Sequence, residues 1–116
     1  MKEGSVFQKN GTSWRHRMTK LEKDIERALV RKVKQHRGQC LKWVCPGQAG
    51  VPDRIVLLPG GRIIFVELKR PKGGKLSKLQ MFWADKLQDL GFEWRVIWND
   101  HDLDDLEASI DEGVQR

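Results

Sequence analysis

The sequence lacks long apolar runs and a leader segment, and each absence removes a class of protein from consideration. No apolar stretch approaches the roughly 18 residues that a transmembrane helix needs, so we expect no membrane partner. The N-terminus does not show the basic, apolar and small-residue succession that directs secretion. We therefore expect a cytoplasmic protein.

Cysteine is also scarce, which argues against a structural zinc site. Cys40 and Cys45 are the cysteines of the chain, and His36 is the histidine nearest to them. A structural zinc ion usually takes four Cys or His ligands in paired short spacings, which these residues cannot supply. We expect both cysteines to be reduced thiols in a reducing compartment.

Positive charge, by contrast, is abundant. The 116 residues leave room for one domain, and 39% of them are hydrophobic, as in globular proteins. Residues 1–95 contain 21 Lys and Arg against 9 Asp and Glu, whereas residues 96–116 contain 1 against 7. A basic body of this kind is typical of proteins that bind nucleic acid, because Lys and Arg displace the counterions condensed on phosphates. We interpret the acidic tail as the solvated face of a helix rather than as a cover over a basic groove, since its apolar residues follow helical spacing at Leu103, Leu106 and Ile110.

The first part of the chain divides into an arm and a helix. Residues 1–18 mix small and basic residues without a sustained period, which predicts a flexible basic arm. Trp14 in this arm is a candidate for stacking on an unpaired base. A single domain is expected over 19–116, and it begins with an amphipathic helix that Thr19 caps and Gly38 follows. The apolar positions of this helix recur every four residues, at Leu21, Ile25, Leu29 and Val33.

The remaining pattern predicts an α/β fold in which helices flank a mixed β-sheet. Short β-rich runs occupy 40–44, 55–58, 62–68 and 93–98. The second and third runs are joined by the turn sequence Pro59-Gly60-Gly61, so they are expected to form a hairpin. A second helix over 76–90 ends at Gly91, and a short third helix closes the chain.

The residues that carry chemistry lie on this hairpin. Glu67 and Lys69 are two apart in one strand and therefore share a face, while Leu68 between them points into the core. Asp53 enters the partner strand, and the turn at 59–61 brings its carboxylate beside Glu67. Two carboxylates this close repel each other unless a divalent cation lies between them, and oxygen ligands of this kind suit Mg²⁺ or Mn²⁺.

Hydrolysis of a phosphodiester bond needs two further things from such a site. A cation must polarise the phosphoryl oxygen, and another group must prepare the attacking water. Lys69 suits the second task, either as a positive charge that orients the water or as a general base. Both roles stay open at this point.

Two segments of the chain resemble a known family. "GVPDRIVLLPGGRIIFVELKRP" and "GKLSKLQMFWADKLQDLGF" look like the VRR-NUC branch of the PD-(D/E)XK nuclease superfamily, in the stand-alone form of phages and bacteria. The resemblance covers about residues 19–98. It implies a restriction-endonuclease-like core and a metal-dependent DNA endonuclease in the cytoplasm of a bacterium or a phage-infected host. Stand-alone relatives resemble junction resolvases, so a preference for branched DNA such as a Holliday junction is also expected.

The resemblance also assigns roles, residue by residue. It makes Asp53 and Glu67 ligands of Mg²⁺ or Mn²⁺, the carbonyl of Leu68 a further ligand, and Lys69 the catalytic lysine. Gln80 falls where the family has a glutamine on the helix after the strand. Its expected role is to hold Lys69 or the scissile phosphate.

A glutamate on the first helix completes the family's site, where it acts on the metal directly or through a water. Glu22 and Glu26 are both candidates, and the pattern "EKDIE" favours Glu22. Glu26 is the alternate. Its other interpretation is an ion pair with basic residues one helical turn away.

Two other functions compete with the endonuclease. One is a DNA-binding or assembly module with a vestigial site, and the other is a nuclease subunit of a helicase or terminase complex. The presence of every required side chain argues against the vestigial site. A homodimer is expected, because cutting both strands calls for two sites and because aromatic residues exceed what a small core must bury. The residues in question are Phe82, Trp83, Trp94 and Trp98.

Overall fold

A computed structural model describes residues 21–114. The elements follow one another as α1 (Glu22–Gln35), β1 (Gln39–Lys42), β2 (Arg54–Leu58), β3 (Arg62–Leu68), α2 (Lys78–Asp89), β4 (Glu93–Ile97) and α3 (Asp100–Val114). This is the order that the sequence predicts. The expected arm with Trp14, and the Thr19 cap, lie outside the described residues. Over residues 21–114, no helix is both long enough and apolar enough to cross a membrane.

The strands form one mixed sheet in the order β1-β2-β3-β4. β2 is antiparallel to both of its neighbours, β1 and β3, whereas β3 and β4 are parallel. The hairpin between β2 and β3 turns at Pro59–Gly61, where Gly60 and Gly61 adopt φ angles of 83° and 80° that glycine reaches without steric cost. Its register pairs Arg54 with Val66, so Asp53, one residue earlier, stands opposite Glu67.

The core lies between one face of the sheet and the helices α1 and α3. Alternate residues of β3 point to this face, as the pleat requires, and they include Leu68, as predicted. Each helix contributes apolar residues three or four apart, namely Ile25, Leu29 and Val33 from α1 and Leu103, Leu106 and Ile110 from α3. Of the four apolar positions predicted for the buried face of α1, Leu21 is the one that is not buried. This residue is 44% exposed and occupies the cap position before Glu22.

The acidic face of α3 is not simply solvated, which corrects the sequence interpretation. Glu107 accepts hydrogen bonds from Lys32 Nζ at 2.9 Å, and its other oxygen lies 3.0 Å from His36 Nε2. His36 Nδ1 lies 3.3 Å from Asp111 Oδ1. These acids therefore fasten α3 to α1. Spacing within α3 could not reveal this, because the partners belong to another helix.

Helix α2 covers part of the opposite face of the sheet and buries Ala84 and Leu87. It begins with a capping box. Ser77 Oγ accepts from the backbone N–H of Gln80 at 3.1 Å, and Gln80 Oε1 accepts from the backbone N–H of Ser77 at 2.8 Å. The cap fixes where the Gln80 side chain points.

Candidate active site

Glu67 is a buried carboxylate at the centre of the candidate site. It lies on the α2 face of β3 and is 1% exposed. Its Oε2 accepts a hydrogen bond from Gln80 Nε2 at 2.9 Å and lies 3.8 Å from Lys69 Nζ. Its Oε1 is buried and has no hydrogen-bond partner among the described residues. Of the two partners expected for Gln80, Lys69 and the scissile phosphate, Lys69 is not the one it contacts, because its amide nitrogen donates to Glu67.

The surroundings of Glu67 disfavour its charged form. Burial raises the pKa of Glu67 from 4.5 to about 8, and the negative charge of Asp53 adds to the rise. The positive charge of Lys69 acts in the opposite direction without cancelling these effects. In the metal-free protein the Glu67 carboxyl therefore keeps its proton at neutral pH.

Asp53 lies beside Glu67 because of the hairpin register. Its backbone carbonyl accepts from the N–H of Trp43 at 3.0 Å, which continues the β1–β2 ladder by one residue. Its side chain Oδ2 accepts from the backbone N–H of Leu68 at 2.8 Å. The carboxylate is thus held across the hairpin, at the end of the sheet that the sequence predicts.

The two glutamates of α1 have different surroundings. Burial, followed by the charge of Asp53, raises the pKa of Glu22, and Lys69 lowers it. Glu26 instead accepts a hydrogen bond from Arg54 Nε at 2.8 Å. Its partner is therefore a strand residue and not the neighbouring helical base that the alternative interpretation expected.

A cavity of about 300 Å³ opens beside Asp53. Its walls include Glu22, Glu26, Asp53, Leu68, Lys42 and Trp43, whereas the buried Glu67 is not among them. A larger cavity of about 1040 Å³ lies between the hairpin turn and α3, and it contains none of these carboxylates. Arg62, in that larger cavity, is already paired with Glu93 and Ser109. The candidate site therefore consists of the smaller cavity and the buried Glu67 beside Asp53.

The donor set can be tested against a metal ion. In the part of the chain that the structure describes, no three His, Cys, Asp or Glu side chains are close enough together to hold an ion in their present positions. The chemistry of the donors nevertheless fits a hard divalent cation, because Asp53 and Glu67 would repel each other if both were ionised without one, and Glu67 has a buried oxygen to which no described group donates. A cation here would take the place of the Glu67 proton and draw the carboxylates together.

The cysteines do not contribute to this site. Cys40 and Cys45 are free thiols. Burial raises the pKa of Cys40 to about 11, which disfavours the thiolate that a metal would need. His36, which was considered with them, contacts α3 instead.

Two residues of the site were not identified from the sequence. Ser77 orients Gln80, and the Ser77-x-x-Gln80 spacing is a capping-box pattern that could have revealed it. Arg54 holds Glu26, and no local pattern pairs a strand residue with a helix residue this far away in the chain.

Comparisons with known proteins agree on one family. A family model described as "VRR-NUC domain" matches residues 3–98, which include most of the expected arm. "Putative nuclease p44" of Acyrthosiphon pisum secondary endosymbiont phage 1 is 39% identical over 89 residues, covering 77% of this chain and 94% of that protein. A solved structure described as "VRR_NUC domain" matches with a TM-score of 0.70 and 26% identity, covering 73% of this chain and 91% of that one.

Proposed function

The chain belongs to the VRR-NUC domain family and is a nuclease domain, and we propose that it hydrolyses DNA phosphodiester bonds with a divalent cation bound by Asp53 and Glu67. The observation that carries the proposal is the burial of Glu67 together with its raised pKa. A carboxyl group that is buried, has a raised pKa and has one oxygen to which no described group donates is costly to ionise without a cation, and such groups cluster at functional sites.

The proposed ligands come from the hairpin and from the start of α1. Asp53 and Glu67 of the hairpin would hold the cation, with the Leu68 carbonyl as a further ligand. Glu22 of α1 would act on the cation directly or through a water. A bound Mg²⁺ or Mn²⁺ would supply a Lewis acid that polarises the phosphoryl oxygen. Glu22 is preferred over Glu26 because burial and then the negative charge of Asp53 raise the pKa of Glu22, whereas Oε2 of Glu26 accepts a hydrogen bond from Arg54.

Lys69 and Gln80 have supporting roles in this proposal. Lys69 Nζ, 3.8 Å from Glu67 Oε2, carries the positive charge that orients the attacking water and stabilises the forming hydroxide. Gln80 orients Glu67. Because its amide oxygen is committed to the Ser77 N–H, its amide nitrogen is left to donate to Glu67 Oε2, and Oε1 stays available to a cation.

The surface next to the site supports DNA as the substrate. The loop that joins β3 to α2 starts at Lys69, and the basic side chains that follow Lys69 are exposed. They are Arg70, Lys72, Lys75 and, at the start of α2, Lys78. Basic side chains in this position can contact the phosphates on either side of the scissile bond.

We also propose a homodimer that prefers branched DNA such as a Holliday junction. Resolving a junction requires two cuts related by symmetry, which a twofold dimer provides. Phe82 and Leu79 on α2 are 54% and 52% exposed, and Leu90, directly after the helix, is 64% exposed. Trp83, Trp94 and Trp98 are half-buried and offer less surface than the sequence suggested. The exposed apolar residues of α2 are therefore the proposed contact.

A panel of substrates tests the proposed function. The purified full chain is incubated with duplex, flap, single-stranded and four-way DNA, each with Mg²⁺, Mn²⁺ or a chelator. We expect cleavage with either metal, none with chelator, and the fastest cleavage on four-way DNA. Cleavage that survives the chelator would contradict the metal requirement, and equal rates on duplex and four-way DNA would contradict the substrate preference.

A further inference from the structure

Arg54 and Glu26 connect the hairpin to α1 beside the candidate site. Arg54 Nε donates to Glu26 Oε2 at 2.8 Å, and Arg54 Nη1 donates to the backbone carbonyl of Cys40 at 3.1 Å. The side chains of Arg54 and Glu26 are 14% and 27% exposed. This ion pair is thus largely buried, and the guanidinium donates through two of its nitrogens. It differs in both respects from an isolated surface pair.

The pair links a residue of β2 to a residue of α1, and each of them lies next to a proposed metal ligand in the sequence or on the helix. Arg54 directly follows Asp53, and Glu26 lies one helical turn after Glu22. Glu22 and Asp53 line the same cavity. The apolar contacts of α1 hold the helix against the sheet but are non-directional, whereas hydrogen bonds to a guanidinium are directional. The pair is therefore a directional link between β2 and the first turns of α1.

We propose that Glu26 and Arg54 are positioning residues, which hold α1 so that Glu22 reaches the cation site of Asp53. This inference rests on the proposed function. Glu26 also borders the cavity, but its Oε2 is held by Arg54. Removing either partner would leave the other partly buried without its counter-charge, which is strongly unfavourable.

Mn²⁺ affinity, measured by isothermal titration calorimetry on the full chain, tests the positioning role. If the pair positions Glu22, Glu26→Gln and Arg54→Met should each weaken Mn²⁺ binding by roughly 10-fold or more, as loss of a supporting contact usually does. The double variant should bind no more weakly than either single variant, because both changes break the same contact. If the pair has no positioning role, Arg54→Met only removes a positive charge beside the cation site, and Mn²⁺ binding would be unchanged or tighter. That result would overturn the proposal.

A second ion pair on the same helix provides the matched control. Arg27 Nη1 lies 3.7 Å from Asp24 Oδ1, and both side chains are exposed. Arg27→Met removes the same charge from the same region without touching the hairpin, so Mn²⁺ affinity should change by less than about twofold. An equal loss in Arg27→Met and Arg54→Met would show that the effect does not depend on the contact with the hairpin and would overturn the positioning role.

Arg54→Lys covers the case in which Arg54→Met does not fold. The lysine keeps the charge near Glu26 but cannot also reach the Cys40 carbonyl in the same geometry. We expect weaker Mn²⁺ binding in this variant, and wild-type affinity would contradict the inference. A wild-type protein that binds no Mn²⁺ would contradict the proposed function itself, and the inference would fall with it. Wild-type binding together with unchanged binding in both Arg54 variants contradicts the inference alone.

Discussion

At the scale of single residues, Glu67 lies in surroundings that favour its protonated form. The folded protein keeps the Glu67 proton up to a pH of about 8, whereas an ordinary glutamate loses it near 4.5. The unfolded chain therefore binds fewer protons than the folded chain between these two values. Under that condition the free energy of unfolding decreases as pH rises.

We predict that the free energy of unfolding of the metal-free protein decreases as pH rises from 4.5 to about 8. Above this range Glu67 contributes no further change. The loss should amount to a few kcal/mol, on the order of the pKa shift multiplied by about 1.4 kcal/mol per unit. Urea unfolding at a series of pH values with chelator present measures it. Glu67→Gln should remove most of this pH dependence and be the more stable protein at pH 8. A wild-type slope that persists in Glu67→Gln would show that another group is responsible.

A second prediction at this scale separates the two glutamates of α1. At Mn²⁺ concentrations that saturate each variant, Glu26→Gln should recover most of the wild-type cleavage rate, because its defect lies in positioning. Glu22→Gln should remain slower, because a group that acts on the metal is missing. Single-turnover cleavage at increasing Mn²⁺ provides the measurement. The assignment is reversed if Glu22→Gln reaches the wild-type rate and Glu26→Gln does not.

The sequence identifies some of these residues better than others, for a physical reason. Asp53, Glu67 and Lys69 follow from hairpin geometry, since strand alternation and turn position are local properties of the chain. The contact between Glu26 and Arg54 depends on how α1 packs across the sheet, and no local pattern encodes that distance. The raised pKa of Glu67 likewise follows from burial under α2, which appears only in the folded chain.

At the scale of elements, the loop before Asp53 must lie close to α2. Gly50 has a φ of +89°, and a Cβ at this position would lie 2.6 Å from Leu79 Cβ and 2.8 Å from the Leu79 carbonyl carbon. Leu79 precedes Gln80, which holds Glu67. The absence of a side chain at Gly50 therefore allows the Asp53 loop and the start of α2 to approach each other.

We predict that Gly50→Ala lowers both stability and cleavage. The added methyl must push against the backbone of α2, which costs roughly 1–3 kcal/mol and moves Gln80 relative to Glu67. Gly47→Ala is the matched control, because Gly47 also has a positive φ, of +84°, but has no atom within 4 Å of the added carbon. Chemical unfolding and initial cleavage rates of the two variants should differ accordingly. Equal losses in both would show that backbone conformation, and not contact with α2, is what matters.

The order of the elements is predictable from the sequence, but their ends are less so. The predicted order, the hairpin and the mixed sheet are confirmed. The first strand was predicted over 40–44 and is Gln39–Lys42, and the second helix starts at Lys78 and not at 76 because Ser77 caps it. Apolar periodicity finds an element, whereas hydrogen bonds at its ends decide where it stops.

At the scale of the whole molecule, the exposed apolar side of α2 predicts self-association. Light scattering of the DNA-free protein at micromolar concentration should give about twice the 13.5 kDa of the chain. Phe82→Glu should give a mass near that of a single chain, because the charge would have to be buried in the contact. Asp85→Lys changes charge at another exposed position of the same helix and should leave the dimer intact. A wild-type mass near 13.5 kDa that persists as concentration rises contradicts the dimer.

The most direct test of whether Glu67 and its neighbours form the active site compares the cleavage rates of wild type and Glu67→Gln. Both are measured with saturating Mn²⁺ on the DNA that wild type cuts fastest. Glu112→Gln, an exposed Glu-to-Gln change on α3, serves as the matched control. We expect Glu67→Gln to be folded and at least about 100-fold slower than wild type, since losing a metal ligand should cost at least as much as losing a supporting contact. Glu112→Gln should cut at the wild-type rate. Undiminished cleavage by folded Glu67→Gln protein would contradict the site.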